Sequence, residues 1–204
     1  GQTERAAELL TLAGNWSLRD DPAHAWLTEY GLRRGNFALS FAHADTLVRR
    51  RDDIQPQVFK LFVDAIIAEP RALPAVVNLL NAGPPWRVPF IRYLAERDDA
   101  DAVLLGIALA LNRGSGKLSD YESGLIYRSW AGEKRWDAMR MLRVSAVSRG
   151  PSLVNNGDFG RPAEDDLLPL AWNFGTAPGL AVEIMESDIP NNPALYVQYD
   201  GFGN

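Results

Sequence analysis

Apolar residues recur at helical spacing through the first 150 positions, in paired segments separated by short polar breaks. Trp26, Leu27, Tyr30 and Gly31 share one stripe, and Phe37, Phe41, Ala44 and Leu47 share the next. Val58, Phe59, Phe62, Ala65 and Ile66 are answered by Leu73, Val76, Val77 and Leu80. Phe90, Tyr93 and Leu94 precede the apolar run 102–111, and Leu125, Ile126 and Trp130 pair with Trp136, Met139, Leu142 and Val147. One helical hairpin cannot bury such stripes alone, so the pattern predicts hairpins stacked on one another. The start signals agree. Asp21-Pro22 predicts an Asp21 N-cap with Pro22 at the first helical position, and Gln55-Pro56, Pro84-Pro85-Trp86 and the capping box Ser119–Glu122 open the later units. Breaks are predicted at Gly35-Asn36, Glu69-Pro70, Asp98-Asp99 and Gly132-Glu133. Starts separated by about 30 to 34 residues mark a helical repeat.

The stretch AWLTEYGLRRGNFALSFAHADTLVRRRDD resembles a tetratricopeptide repeat. Gly35 opens its inter-helix turn, Phe37 follows two residues on, and small residues fall where the helices touch. LIYRSWAGEKRWDAMRML resembles a second unit, with Trp136 in the aromatic position. GQTERAAELLTLA is similar to the Gly turn and second helix of a preceding unit, which implies an array continuing upstream. The middle units depart from the family pattern at Pro74 and Pro89, so the array is degenerate. The resemblance spans residues 1–150. It implies an α-solenoid of helical hairpins that presents a surface to a protein or peptide partner.

At Gly150-Pro151 the periodicity stops, because Gly can cap a helix and Pro cannot extend one. Beyond it come the short apolar runs SLVN, LAWNFG, GLAVEIME and ALYVQYDG, set between turn-rich segments. They predict three or four strands across 152–204. The fold class expected is therefore mainly α, with a small C-terminal antiparallel β-unit, divided as 1–150 and 151–204. The block that includes Asn156-Gly157-Asp158-Phe159 resembles the opening strands of carbohydrate-binding-module-like jelly rolls. Those domains run well beyond this block, which implies an incomplete module. Joined to tetratricopeptide-like helices, it is similar to bacterial proteins of the cell envelope and of exopolysaccharide assembly, which implies a periplasmic or envelope location.

Charge and composition narrow the chemistry. A net charge of −5 argues against a general nucleic-acid binder, and the absence of cysteine removes disulfides, thiolate metal sites and Cys nucleophiles. Even the most apolar window, Ala102 to Leu111, falls short of the roughly 18 residues of a membrane span. The Asn112–Ser119 segment NRGSGKLS fails as a phosphate loop: Leu111 stands where a Gly is required, and Leu118 where Ser or Thr is required. It reads as a helix cap and turn. His24 and His43 are too few for a metal site or triad and read as packing or surface residues. Arginines at helix ends (Arg33-Arg34, Arg49-Arg50-Arg51) and acids before helix starts suit the helix dipole. Asn156, Asp158, Glu164, Asp165 and Asp166 lack the regular spacing of a calcium loop, and no cofactor or metal is expected.

The aromatics are the best binding candidates. Trp26, Tyr30, Trp86, Tyr93, Tyr127 and Trp130 fall on the first helices of successive hairpins, with Arg33 beside the first pair. Two readings stay open: a partner-binding face, or inter-repeat core. Trp172, Tyr196 and Tyr199, with Phe174, are likewise either a sugar-stacking platform or residues that pack the sheet. The function expected is a non-catalytic scaffold or adaptor for a protein or peptide, with polysaccharide as a further partner. A carbohydrate-recognition module with helices as spacer is the alternative, and a glycan-processing enzyme the third.

Overall fold

The computed structural model describes residues 2–17, 19–146, 177–189 and 192–201. Within them the chain is mainly helical, followed by one antiparallel β-hairpin. An initial helix, α1 (Gln2–Trp16), precedes α2 (Asp21–Arg33) and α3 (Phe37–Val48). Then come α4 (Gln55–Ala68), α5 (Leu73–Asn81), α6 (Arg87–Ala95), α7 (Asp101–Arg113), α8 (Asp120–Gly132) and α9 (Trp136–Ala146). Among the described residues no helix is long and apolar enough to cross a membrane. The junction at Gly150-Pro151, Val147 and the predicted strands SLVN and LAWNFG lie outside the described residues.

Local chemistry explains the helix ends. Helix α2 is capped by Asp20, whose carboxylate accepts from the Ala23 N–H at 3.0 Å, so the cap lies one residue before the Asp21 expected. Either of two adjacent aspartates satisfies the capping chemistry, and backbone geometry selects the first. Gly35 supplies the left-handed turn (φ 66°), and the Asn36 side chain then accepts from Leu39 N at 3.1 Å to start α3. Pro74 and Pro89 depart from the repeat pattern without breaking a helix, because each lies in a first turn, where the missing N–H has no intrahelical partner anyway. The Asp52–Ile54, Pro70–Ala72 and Asp98–Ala100 segments are single 3-10 turns that lead into α4, α5 and α7. Just before two of them an arginine reaches two residues ahead to an aspartate: Arg51 to Asp53 and Arg97 to Asp99, each at 2.5 Å.

Helix α2 lies against α3, α6 against α7 and α8 against α9, and further contacts run α3 on α5, α5 on α7 and α7 on α9. The α2–α3 crossing is close because Gly31 has no side chain. A Cβ there would sit 2.8 Å from both Ser40 Cβ and Ser40 N. Ser40 Oγ donates to the Thr28 carbonyl at 2.7 Å and so consumes the polar group buried at this contact. The core runs from Phe41 to Leu142. At its centre Phe41, Phe59, Phe62, Trp86 and Phe90 meet with ring centroids 4.8–6.0 Å apart. Trp136 departs from its expected packing role: as the first residue of α9 it is 59% exposed.

The capping box at α8 does more than end a helix. Ser119 Oγ accepts from Glu122 N at 3.2 Å, and Glu122 Oε2 accepts from Ser119 N at 2.8 Å. Glu122 is also buried and takes two bonds from Arg87 of α6, at 2.7 and 2.9 Å. Arg87 also donates to the Leu80 and Lys117 carbonyls, so the pair joins α5, α6 and α8.

Strands β1 (Leu180–Glu186) and β2 (Pro193–Tyr199) pair antiparallel with Val182 opposite Val197. Leu180, Val182, Ile184, Leu195 and Val197 therefore share one face, and Glu183, Tyr196 and Gln198 share the other.

Two stability predictions follow from these contacts. Gly31→Ala forces α2 and α3 apart and costs about 1–3 kcal/mol, measurable by urea denaturation. Ser119→Ala removes one cap and costs about 1 kcal/mol, whereas Glu122→Ala also strands Arg87 and costs about 3–5 kcal/mol. Equal losses for the two box variants would show that the ion pair adds nothing.

Candidate partner-binding surface

Trp26, Tyr30 and Arg33 follow one another at i, i+4 and i+7 on α2, so their side chains emerge along a single line. The Trp26 and Tyr30 rings stack nearly parallel, 12° apart with centroids 5.0 Å apart. The Arg34 guanidinium lies 5.3 Å from the Tyr30 centroid. Both aromatic side chains are half-buried and Arg33 is exposed. With Thr3, Glu29 and Arg34 they line a cleft of about 150 Å³ between α1 and α2.

Ion pairs hold the charged rim. Arg33 Nη2 donates to Glu29 at 2.5 Å along the helix, and Arg34 Nη2 donates to Glu4 of α1 at 2.6 Å. All four side chains are more than half exposed. Such pairs contribute at most about 1 kcal/mol each, so an incoming carboxylate can exchange with Glu29 or Glu4 at little cost. The stacked rings are the more durable feature, since a flat apolar surface needs no rearrangement to receive a partner.

A larger groove of about 700 Å³ lies across the α2–α3 turn and runs along α4. Its apolar lining is Leu32, Phe37, Leu61, Ala65 and Ala68, and its polar rim includes the Lys60–Asp64 and Arg71–Glu69 pairs at 2.6 and 2.9 Å. A third hollow shares Phe37 and Arg71 and reaches Pro74, Ala75 and Asn78 of α5. Sequence reasoning missed this groove. The signal was present: Leu61, Ala65 and Ala68, spaced four and three, form a second apolar stripe beside the buried one of α4.

The remaining aromatics separate by burial. Tyr93 is half-buried against Phe59 (5.6 Å), and its hydroxyl accepts from Arg97 at 2.8 Å. Trp86 and Trp130 have no exposed surface and Tyr127 only 3%, so these three belong to the core and leave the binding set. Each Trp satisfies its indole N–H internally, Trp86 on Asp45 at 2.7 Å and Trp130 on Asp101 at 3.3 Å. Arg135 also donates to Asp101. Burial pushes the Tyr127 phenol up to about 12, against the opposing effect of Arg143, and so keeps the phenol protonated.

Only part of the expected sugar platform lies within the described residues. Tyr196 and Tyr199 are exposed, but they are three positions apart on one strand and so lie on opposite faces of the hairpin. Trp172 and Phe174, with the acids Asp158, Glu164, Asp165 and Asp166, lie outside the described residues. Among the described residues no group of three His, Asp or Glu side chains is placed to hold a metal ion. The NRGSGKLS segment is a cap and turn: Gly114 ends α7, and Gly116 N donates to the Asn81 side chain at 3.0 Å. Compared with known proteins, the chain matches no family model, no curated protein and no solved structure.

Proposed function

We propose that this chain is a non-catalytic scaffold or adaptor that binds a protein or peptide along its first helices. The observation that carries this reading is the convergence of Trp26, Tyr30 and Arg33 at an open cleft, next to the apolar groove along α4. Trp, Tyr and Arg are the residue types that dominate binding energy at protein interfaces. The succession α3 on α5 on α7 on α9 supports a degenerate tetratricopeptide-like solenoid, in which the first helices line the recognition surface. The partner that suits both depressions is a peptide with an apolar side chain for the Phe37–Leu61 groove and an acidic group for Arg33 and Arg34. Both depressions are shallow and lined by paired charges, as fits recognition rather than turnover.

The test is selection of peptides from a random library on the wild-type chain, followed by fluorescence anisotropy on variants. Trp26→Ala, Tyr30→Ala and Leu61→Ala should each weaken binding by about tenfold or more while leaving a cooperative thermal transition, lowered for Leu61→Ala because Leu61 also packs against the core. Peptides that bind all three variants with wild-type affinity would place the recognition surface elsewhere.

A further inference from the structure

The chain has only two histidines, 19 positions apart, and the fold brings them together. His24 of α2 is 2% exposed, and its Nδ1 lies 2.9 Å from Nδ1 of half-buried His43 on α3. His24 Nε2 is buried with no hydrogen-bond partner among the described residues. Gly14 of α1 packs against the same ring: a Cβ there would be 3.5 Å from His24 Cε1 and 3.9 Å from its Nδ1. Three helices therefore meet at one imidazole.

A bond between two Nδ1 atoms needs a proton on one and a lone pair on the other, which a neutral pair supplies. An added proton has no good place. With one bridging proton, a charged pair must also carry a proton on His24 Nε2, where no acceptor waits. With both rings charged, two N–H donors face each other. Surrounding charges offer no relief. Residues 9–16 of α1 hold no titratable group. On α2, Asp20 caps the helix and Asp21 is taken by Arg50, just after α3. Of the other charged groups on and after α3, Asp45 is taken by Arg49 and Trp86, and Asp53 by Arg51. On neighbouring α4, Lys60 and Asp64 pair with each other, and α5 carries no charge. Burial, then the nearness of His24, lowers the proton affinity of His43. A metal fits less well. Two nitrogens at about 2.0–2.1 Å from a tetrahedral zinc stand about 3.3 Å apart, and no third ligand is at hand among the described residues.

We propose that His24 and His43 form a proton-operated clamp that holds α1, α2 and α3 together when neutral and releases α1 on acidification. Release would carry Thr3 and Glu4 away from Trp26 and Tyr30 and so open the cleft they share. The clamp stands whether or not that cleft binds a peptide.

The sign follows from linkage. The unfolded chain protonates His43 near its ordinary value of 6.5, whereas the folded chain holds that proton less readily, so its contribution to stability is full above that pH and falls below it. Melting temperature should drop as the pH falls below 6.5, by at most about 5 °C per pH unit, with amide exchange in α1 rising as it does. His43→Gln should flatten both profiles across that window. In the wild-type chain, imidazole NMR should show His43 titrating below its ordinary value. A variant with the wild-type pH slope, a His43 ring that titrates normally, or stabilisation by added zinc would each overturn the clamp.

Discussion

The indole of Trp86 holds the centre of this structure. It sits at the N-cap of α6, fully buried, with Phe59 and Phe62 of α4 and Phe90 of its own helix around it. Its N–H reaches Asp45 of α3, 41 positions earlier. Aromatic pairs add roughly 0.5–1.5 kcal/mol each beyond the area they bury, and several converge here. The exposed ion pairs at helix ends are worth at most about 1 kcal/mol apiece. The packing of α3, α4 and α6 therefore rests on this cluster and on the apolar faces that continue from it. Trp130 repeats the arrangement on Asp101, so at both places a large apolar body is buried while a carboxylate on a neighbouring helix satisfies its one polar atom.

Helix starts and breaks were legible in the sequence because capping is local chemistry. Asn36, Ser119, Gly35 and the first-turn prolines each act within four residues of where they stand. The inward or outward fate of each aromatic was not legible. Trp26 and Trp130 are the same residue type on first helices, yet one lines a cleft and the other has no exposed surface. What separates them is the neighbour each helix stacks on, and for Trp86 and Trp130 the deciding carboxylates lie 41 and 29 positions away. Glu122 shows the boundary within one side chain. Its capping role is written in Ser-x-x-Glu, whereas its pairing with Arg87, 35 residues distant, is not. The opposed faces of Tyr196 and Tyr199 were legible, since an odd separation on a strand always places side chains on opposite sides.

The candidate surface draws its order from the α2–α3 turn. Gly31 lets the two backbones touch, Gly35 turns the chain, and Asn36 fixes where α3 begins. These three constraints set the position of Phe37, the side chain common to the α4 groove and the hollow beside it. On the other side of α2 the Trp26–Tyr30 stack is braced by Arg34, itself tied to α1 through Glu4. An aromatic surface held in place before a partner arrives spares the ordering cost that binding otherwise pays, about 0.5–1.5 kcal/mol for each side chain immobilised. The rigid turn thus serves both depressions at once. The weaker tie is α1, which is why a buried polar contact between its neighbours bears on the shape of the cleft.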